Sequence, residues 1–159
     1  MNGGQQPFEI LEHPADIGFL ARGRTLDELF ANAALAMVSL GWQLEGVAET
    51  ERREIEASGE DVESLLYDWL SAVLATADAD RLIFRRFEVH VEAPRGNAPV
   101  PEAVGSSGEQ AASARGLAWG ERIDRSRHHP RTYVKAVTLH QFEVSQSEQG
   151  WTARVFVDV

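Results

Sequence analysis

Two stretches of the sequence carry apolar residues at the spacing of three and four that one face of an α-helix requires. These residues are Leu26, Leu29, Phe30, Ala33, Met37 and Leu40 in the first stretch, and Val62, Leu65, Leu66, Trp69, Leu70, Val73 and Leu74 in the second. An apolar stripe of this kind is stable in water only when another element of the fold covers it. The sequence therefore predicts two amphipathic helices, each buried along one face.

Local signals mark the ends of both helices. Residues 25–28 (TLDE) have the form of a capping box, in which the Thr25 hydroxyl accepts from the Glu28 amide and the Glu28 carboxylate reaches back to the start of the helix. The first helix is expected to begin at Leu26 and to stop at Gly41, because glycine commonly ends a helix. The second helix is predicted to run from residue 61 to about residue 77.

Several other stretches read as strands because their apolar residues alternate with polar ones or form short apolar runs. The predicted strands cover residues 8–11, 17–22, 82–93, 117–123, 133–144 and 151–159. Residues 49–57 (ETERREIEA) are so charged that they predict an exposed or edge strand. The turn at residues 147–150 predicts a hairpin, because Gly150 tolerates the positive φ that such turns require.

The order of these elements indicates the fold class. Helices and strands do not alternate regularly, so we expect an α+β fold with two helices packed on a mixed, largely antiparallel sheet in a single two-layer domain. The whole chain, residues 1–159, suits one such domain. Residues 94–114 are rich in Pro, Gly, Ser and Ala without periodicity, which predicts a long flexible loop rather than a linker between domains.

Charge and composition narrow the classes of function. The chain has 25 Asp and Glu residues against 15 Lys and Arg residues, a formal charge of -10, which disfavours direct binding of nucleic acid. Its basic cluster, residues 122–131, reads either as a solvated loop or as a phosphate-binding patch. The sequence contains no cysteine, no signal segment and no apolar run of the length that spans a membrane. We therefore expect a soluble, cytoplasmic protein.

Two acidic residues stand out because each lies in an apolar context. Asp16 lies in the segment EHPADIG, residues 12–18, which taken alone is typical of a surface turn. Asp158 shares a strand face with Phe156 and adjoins the α-carboxylate of Val159. Two carboxylates this close are tolerated when a cation lies between them, and oxygen ligands favour Ca²⁺ or Mg²⁺ over zinc. Sequence spacing does not decide whether Asp16 approaches Asp158.

Four segments in series resemble the archease family in the family's own order. They are EHPADIGFLARGRTLDELFANAALAM, EDVESLLYDWLSAVL, YVKAVTLHQFEV and the terminal VFVDV. The resemblance extends from about residue 8 to residue 159 and fails in residues 94–114. Pro14 stands where the family usually has threonine, and Leu139 where it has tyrosine, so the loop around Asp16 must be held differently.

The resemblance implies a fold, a function and a site. It implies a metal-binding accessory protein, not an enzyme, that activates the tRNA-splicing RNA ligase of the guanylylated-histidine type by promoting its guanylylation and multiple turnover. The cofactor it implies is a divalent metal ion, with Ca²⁺ the expected one, bound by Asp16, Asp158 and Val159. Lys135, together with Asp16, matches the residues through which the family activates its partner.

Other residues are expected near this site with less direct roles. The segment GERIDRSRHH resembles a family Gly-Glu…Asp…His segment, which makes its acidic and histidine residues candidates for contacts outside the ion's own ligands. With the two histidines of the other motifs, these candidates are His13, His140, Glu121, Asp124 and His128.

Alternative interpretations remain open from the sequence. Lys135 alternates with Val137 and Leu139, so its stem could simply cover apolar surface at a strand edge. His13 and His140 could be core histidines with satisfied hydrogen bonds. The same acids could also hold a catalytic ion in a metal-dependent phosphoesterase. A third alternative is a small chaperone or scaffold with a structural ion.

Overall fold

The computed structural model describes residues 6–13, 16–93 and 111–159, and within these ranges it leaves aside the side chains of residues 12, 13 and 16. The helices are α1 (Leu26–Gly41) and α2 (Val62–Asp80). The strands are β1 (Phe8–His13), β2 (Asp16–Gly23), β3 (Glu51–Gly59), β4 (Leu82–Glu92), β5 (Ala112–Arg122), β6 (Ala136–Val137), β7 (Glu143–Ser147) and β8 (Gly150–Asp158).

The α+β class is confirmed, and every described strand pair is antiparallel. The strands divide into two sheets. A five-stranded sheet has the order β1-β2-β8-β6, with β7 also paired to β8, and a three-stranded sheet has the order β3-β5-β4. Both helices pack across the two sheets, α1 against β2 and β4 and α2 mainly against β3. One hydrophobic core thus joins both sheets to both helices.

The predicted helices form where the apolar stripes lie. In α1 the stripe is buried from Leu29 to Leu40, and the Thr25 hydroxyl accepts from the Glu28 amide at 3.1 Å, as the capping box predicts. The return contact differs, since the Glu28 carboxylate accepts from the amide of Arg24 at 2.7 Å. The second helix extends to Asp80, beyond the predicted end, because its last turn is closed by a residue in the left-handed conformation, Arg81 with φ 58°.

The predicted loop at residues 94–114 is wrong at its C-terminal end. Ala112 and Ala114 belong to β5 and are buried, so this strand begins at Ala112 rather than at Leu117. These small residues are buried where β5 lies between β3 and β4, with Ala114 paired to Ala57 on one side and to Val91 on the other. A composition typical of a loop thus reflects close packing. Residues 94–110 lie outside the described part of the chain.

The predicted strand at residues 133–144 is also wrong, because the chain forms two short strands there. β6 pairs with the end of β8 through Ala136, and β7 pairs further back along the same strand, from Glu143 to Ser147. Between them the backbone turns at Gln141, which has φ 52°. By contrast, the charged stretch at residues 49–57 is confirmed as an edge strand, β3. The predicted hairpin is confirmed as well, with Gly150 at φ 126° and paired to Ser147.

Neither of the two described helices is long and apolar enough to cross a membrane.

Candidate metal centre

The register of the five-stranded sheet brings Asp16 and Asp158 to the same level. In the antiparallel pairing of β2 with β8, Ile17 is opposite Val157 and Gly18 is opposite Phe156. One step further along this register, Asp16, the first residue of β2, is opposite Asp158, the last residue of β8. Residues directly opposite in such a pair have Cα atoms about 4.5 to 5.5 Å apart. Two acids from opposite ends of the sequence therefore meet at one end of this sheet.

Lys135 lies on the other side of β8 at the same end. Its amide donates a hydrogen bond to the Asp158 carbonyl at 2.8 Å, and the next residue, Ala136, is the register partner of Asp158. The backbone at Asp158 is thus held between β2 on one side and the start of β6 on the other.

The charged groups at this end of the sheet are open to solvent. Lys135 and Asp158 are exposed, and Val159 is 48% exposed. Among the described residues, none forms a hydrogen bond or ion pair with the Asp158 carboxylate or with the Lys135 ammonium. The negative charge of Asp158 is therefore not neutralised by a described side chain, and the Lys135 ammonium remains available to a partner.

The donor set at this end of the sheet fits a hard cation. The Asp158 carboxylate, the α-carboxylate of Val159 and, at the adjacent register position, Asp16 all offer oxygen, the ligand atom that Ca²⁺ and Mg²⁺ prefer. Among the side chains that the structure describes, no group of three or more His, Asp or Glu residues is placed to hold a metal ion. The Asp16 side chain lies outside that set.

The segment EHPADIG is a connection between two paired strands. His13 ends β1 and is paired with Asp16, which begins β2, so residues 12, 13 and 16–18 of the predicted surface turn belong to strands; residues 14 and 15 lie outside the described part of the chain. Gly18 is a strand residue. A Cβ there would lie 2.7 Å from Cδ1 of Phe156, so this glycine is required for the close approach of the aromatic ring.

His140 contributes to the same face of the sheet. Its ring lies 5.7 Å from the ring of Phe156 between centroids, and Phe156 shares a face of β8 with Asp158. The turn between β6 and β7, which carries His140, is fixed by Thr138, whose amide and hydroxyl both donate to the Phe156 carbonyl at 3.0 Å. His140 is exposed, so the alternative of a core histidine is wrong for this residue. The position of His13 is given by its backbone alone, opposite Asp16.

Glu121, Asp124 and His128 form a cluster of their own. His128 is 4% exposed, its Nε2 lies 2.9 Å from Oε1 of Glu121, and its Nδ1 accepts from the Asp124 amide at 2.9 Å. Because Nδ1 is an acceptor, the ring is neutral with its proton on Nε2, which donates to Glu121. The three residues that the family resemblance grouped are therefore in contact with one another in the structure. None of the described contacts links them to Asp158 or Lys135.

Charge in this cluster is balanced around Glu121. The amide of Ala48, the ring of His128 and the guanidinium of Arg127 hold the pKa of the Glu121 carboxyl below its ordinary value. The hydroxyl and amide of Ser126 likewise lower the pKa of Asp124. Arg127, in the basic segment at residues 122–131, thus forms ion pairs with Glu121 and Asp124. For this residue, these pairs favour a solvated loop over a phosphate-binding patch.

Sequence reasoning missed Gly18 and Thr138 as parts of this face. The alternation of residues in the last strand already predicts that Phe156 and Asp158 share a face. The residues that contact the Phe156 ring from the neighbouring strands depend on strand order, for which the sequence carries no local signal.

Comparison with known proteins identifies the family of this chain. Residues 8–159 match the Archease protein family (MTH1598/TM1083). The chain belongs to the archease family. It is 40% identical over 152 residues to Protein archease of Methanosarcina mazei, covering 96% of this chain and 95% of the relative. It is 34% identical over 154 residues to Protein archease of Sulfurisphaera tokodaii, covering 97% and 99%.

A solved structure shares both sequence and fold with this archease. The solution structure of Methanobacterium thermoautotrophicum Protein 1598 matches with a TM-score of 0.79 and 35% identity, covering 96% of this chain and 99% of the other. Leu139, where the family resemblance leads us to expect tyrosine, is 68% exposed. The change therefore alters the surface near His140 and leaves the core intact.

Proposed function

We propose that this chain is a metal-binding accessory protein that activates a tRNA-splicing RNA ligase of the guanylylated-histidine type, promoting its guanylylation and multiple turnover. Membership of the archease family supports an accessory role in RNA processing. The observation that carries the proposal is the register that sets Asp16 beside Asp158, with the Lys135 amide bonded to the Asp158 carbonyl.

Asp16, Asp158 and the α-carboxylate of Val159 are the proposed ligands of a divalent ion, with Ca²⁺ the expected one. Calcium takes about 6 to 8 oxygen ligands, so these groups leave positions for water or for a partner's oxygen atoms. When bound, the ion neutralises the carboxylates and offers an electrophilic centre to oxygen atoms such as those of a phosphate. β2 and β6 hold the Asp158 backbone from both sides, so its carboxylate is oriented before a partner arrives.

Lys135 is the proposed contact to the partner. It is the only lysine in the sequence. Its backbone is fixed by Asp158 while its ammonium is exposed and free of described ion pairs, an arrangement suited to an anionic group of the ligase or its nucleotide. Direct binding of RNA is not part of the proposal, because the formal charge of -10 opposes it. The proposal includes a cytoplasmic location, shared with the ligase.

A co-assay tests this function. Ligation of tRNA halves is measured with the ligase alone, with this protein alone, and with both, in the presence of Ca²⁺ or Mg²⁺. We expect no turnover from this protein alone and faster ligase turnover with both. Asp16→Asn and Lys135→Ala should abolish the stimulation, whereas Arg115→Ala, which removes an exposed cation on the other sheet, should retain it.

The remaining outcomes separate the alternatives. Hydrolysis of a phosphoester by the protein alone would replace the proposal with a metal-dependent phosphoesterase. Full stimulation by both Asp16→Asn and Lys135→Ala would contradict the assigned site. Loss of thermal stability in EDTA with stimulation unchanged would indicate a scaffold with a structural ion.

A further inference from the structure

A cavity of about 530 Å³ has a described lining that does not include Asp158, Val159 or Lys135. It is bounded by the C-terminal ends of both helices, the start of β4 and the segment from residue 123 to residue 134. Apolar side chains form its floor, among them Val38, Leu74 and Ile123, which are partly exposed. Cavities of about 300 to 1,000 Å³ with such a lining are the usual size for small-molecule sites.

Three arginines border this cavity without an ion-pair partner. Arg81, Arg125 and Arg131 are exposed, and none of them forms an ion pair with another described residue. Elsewhere among the described residues, Arg22 and Arg53 pair with carboxylates, whereas Arg24, Arg52 and Arg115 also form no ion pair but do not line this cavity. In a chain of charge -10, unpaired cations at one opening create a local positive field that favours an anionic group.

One carboxylate also belongs to the lining of this cavity. Asp78 lines the same space, forms no ion pair with a described residue, and has its pKa raised by burial. At neutral pH the opening therefore carries three positive charges and one negative charge. Such a balance suits a ligand with a single negative charge better than a polyphosphate, which Asp78 would repel.

The walls of the cavity are held by backbone contacts. Ile123 donates to the carbonyl of Arg81, and the amides of Arg131 and Thr132 donate to the carbonyls of Gly41 and Leu40 at the end of α1. Because these contacts tie the 123–134 segment to the helix end and to the start of β4, the cavity is formed in the free protein. A preformed site avoids part of the entropic cost of binding.

We propose that this cavity binds a small amphipathic carboxylate, whose apolar chain lies on the aliphatic floor and whose carboxylate lies between Arg81 and Arg125. Tyr133, which is 67% exposed, and Trp42 flank the opening and supply apolar surface for the part of the chain nearest the head group. The inference goes beyond the proposed function, because it concerns a separate site and needs neither the metal ion nor the ligase.

Calorimetric titration of the free protein tests the proposal with three probes: decanoate, decanol and inorganic phosphate. Decanoate should bind, decanol should bind at least about tenfold more weakly, and phosphate should not bind at millimolar concentration. Equal affinity for decanoate and decanol would overturn the role of the arginines. Absence of decanoate binding would overturn the site.

Variants locate the binding within the molecule. Arg125→Ala and Arg81→Asn should each weaken decanoate binding about five- to tenfold. Asparagine is chosen at position 81 because it tolerates the left-handed conformation seen there. Arg115→Ala, which removes an exposed arginine of β5 that does not line the cavity, is the matched control and should bind like the unaltered protein. An effect of Arg115→Ala equal to that of Arg125→Ala would mean that only net charge matters and would contradict the proposal.

Two more variants separate this inference from the proposed function. Asp78→Asn should admit decyl phosphate, which the unaltered protein should reject. Asp158→Asn should leave decanoate affinity unchanged, so a failure of either proposal leaves the other standing. Decanoate binding that fell with Asp158→Asn would contradict the claim that the two sites are separate.

Discussion

The ring of Phe156 lies directly over Gly18, its register partner on the neighbouring strand of the five-stranded sheet. Any side chain at position 18 would meet this ring and the carbonyl oxygen of Val155. The contact explains a glycine two residues after Asp16 in the sequence. It also fixes the strand pair two positions from the proposed metal ligands Asp16 and Asp158, so packing and the site are linked through these two residues.

Gly18→Ala should destabilise the protein by about 1 to 3 kcal/mol, because neither the Val155 backbone nor the Phe156 ring can move away without disturbing the β2–β8 pairing. Urea unfolding monitored by circular dichroism measures the change. Gly41→Ala is the matched control, since a Cβ there would lie 3.4 Å from the Thr132 carbonyl oxygen. Equal stability of the Gly18 variant would show that the strands separate easily at this point.

Adding one residue after Val159 should weaken Ca²⁺ affinity at least about tenfold, because an anionic carboxylate ligand becomes a neutral amide and affinity follows the ligand charge. Asp158→Asn should have a similar effect with little change in shape. Calorimetric Ca²⁺ titration measures both, with an extension before Met1 as the control. Equal affinities in all four proteins would exclude the terminal acids as ligands.

Glu121→Gln should change how stability depends on acid pH. The pKa of Glu121 is lowered in the folded protein, so this carboxylate stabilises the fold above its unfolded pKa of about 4.3, and that contribution is lost as the pH falls through the folded value. The free energy of unfolding should therefore fall more steeply for the unaltered protein than for the variant as the pH is lowered from about 5 to about 3.

The matched control for this pH profile is Glu88→Gln, which alters an exposed glutamate paired with Arg86. Its profile should follow that of the unaltered protein. Parallel profiles for Glu121→Gln and the unaltered protein would contradict the role assigned to the contacts with Ala48, His128 and Arg127.

Thr25→Ala should cost about 1 kcal/mol of stability, because the Glu28 amide at the start of α1 loses its side-chain acceptor. Thr25→Ser keeps the hydroxyl and should be nearly neutral. Thermal unfolding of the two variants measures the difference. A loss of the same size in Thr25→Ser would assign the effect to the methyl group rather than to the cap.

Local pattern was enough to predict the parts of the fold that depend on neighbours in sequence. The stripes from Leu29 to Leu40 and from Leu65 to Val73 set both helices, and Gly150 set the last hairpin, because helical spacing and turn geometry act over a few residues. The errors arose where distant packing overrode composition. The composition around Ala112 and Ala114 is typical of a loop, but both residues are buried in a strand that pairs with β3 and β4, whose residues are distant in sequence.

The sequence by itself determined which residues at the candidate site are acidic, and through the family resemblance which of them to test. Only the tertiary structure decided that Asp16 stands beside Asp158, with Lys135 on the other side of the same strand. The physical reason is that strand order and register depend on pairing between residues far apart in the chain. A slip of one residue would turn every side chain to the opposite face and leave the same local pattern intact.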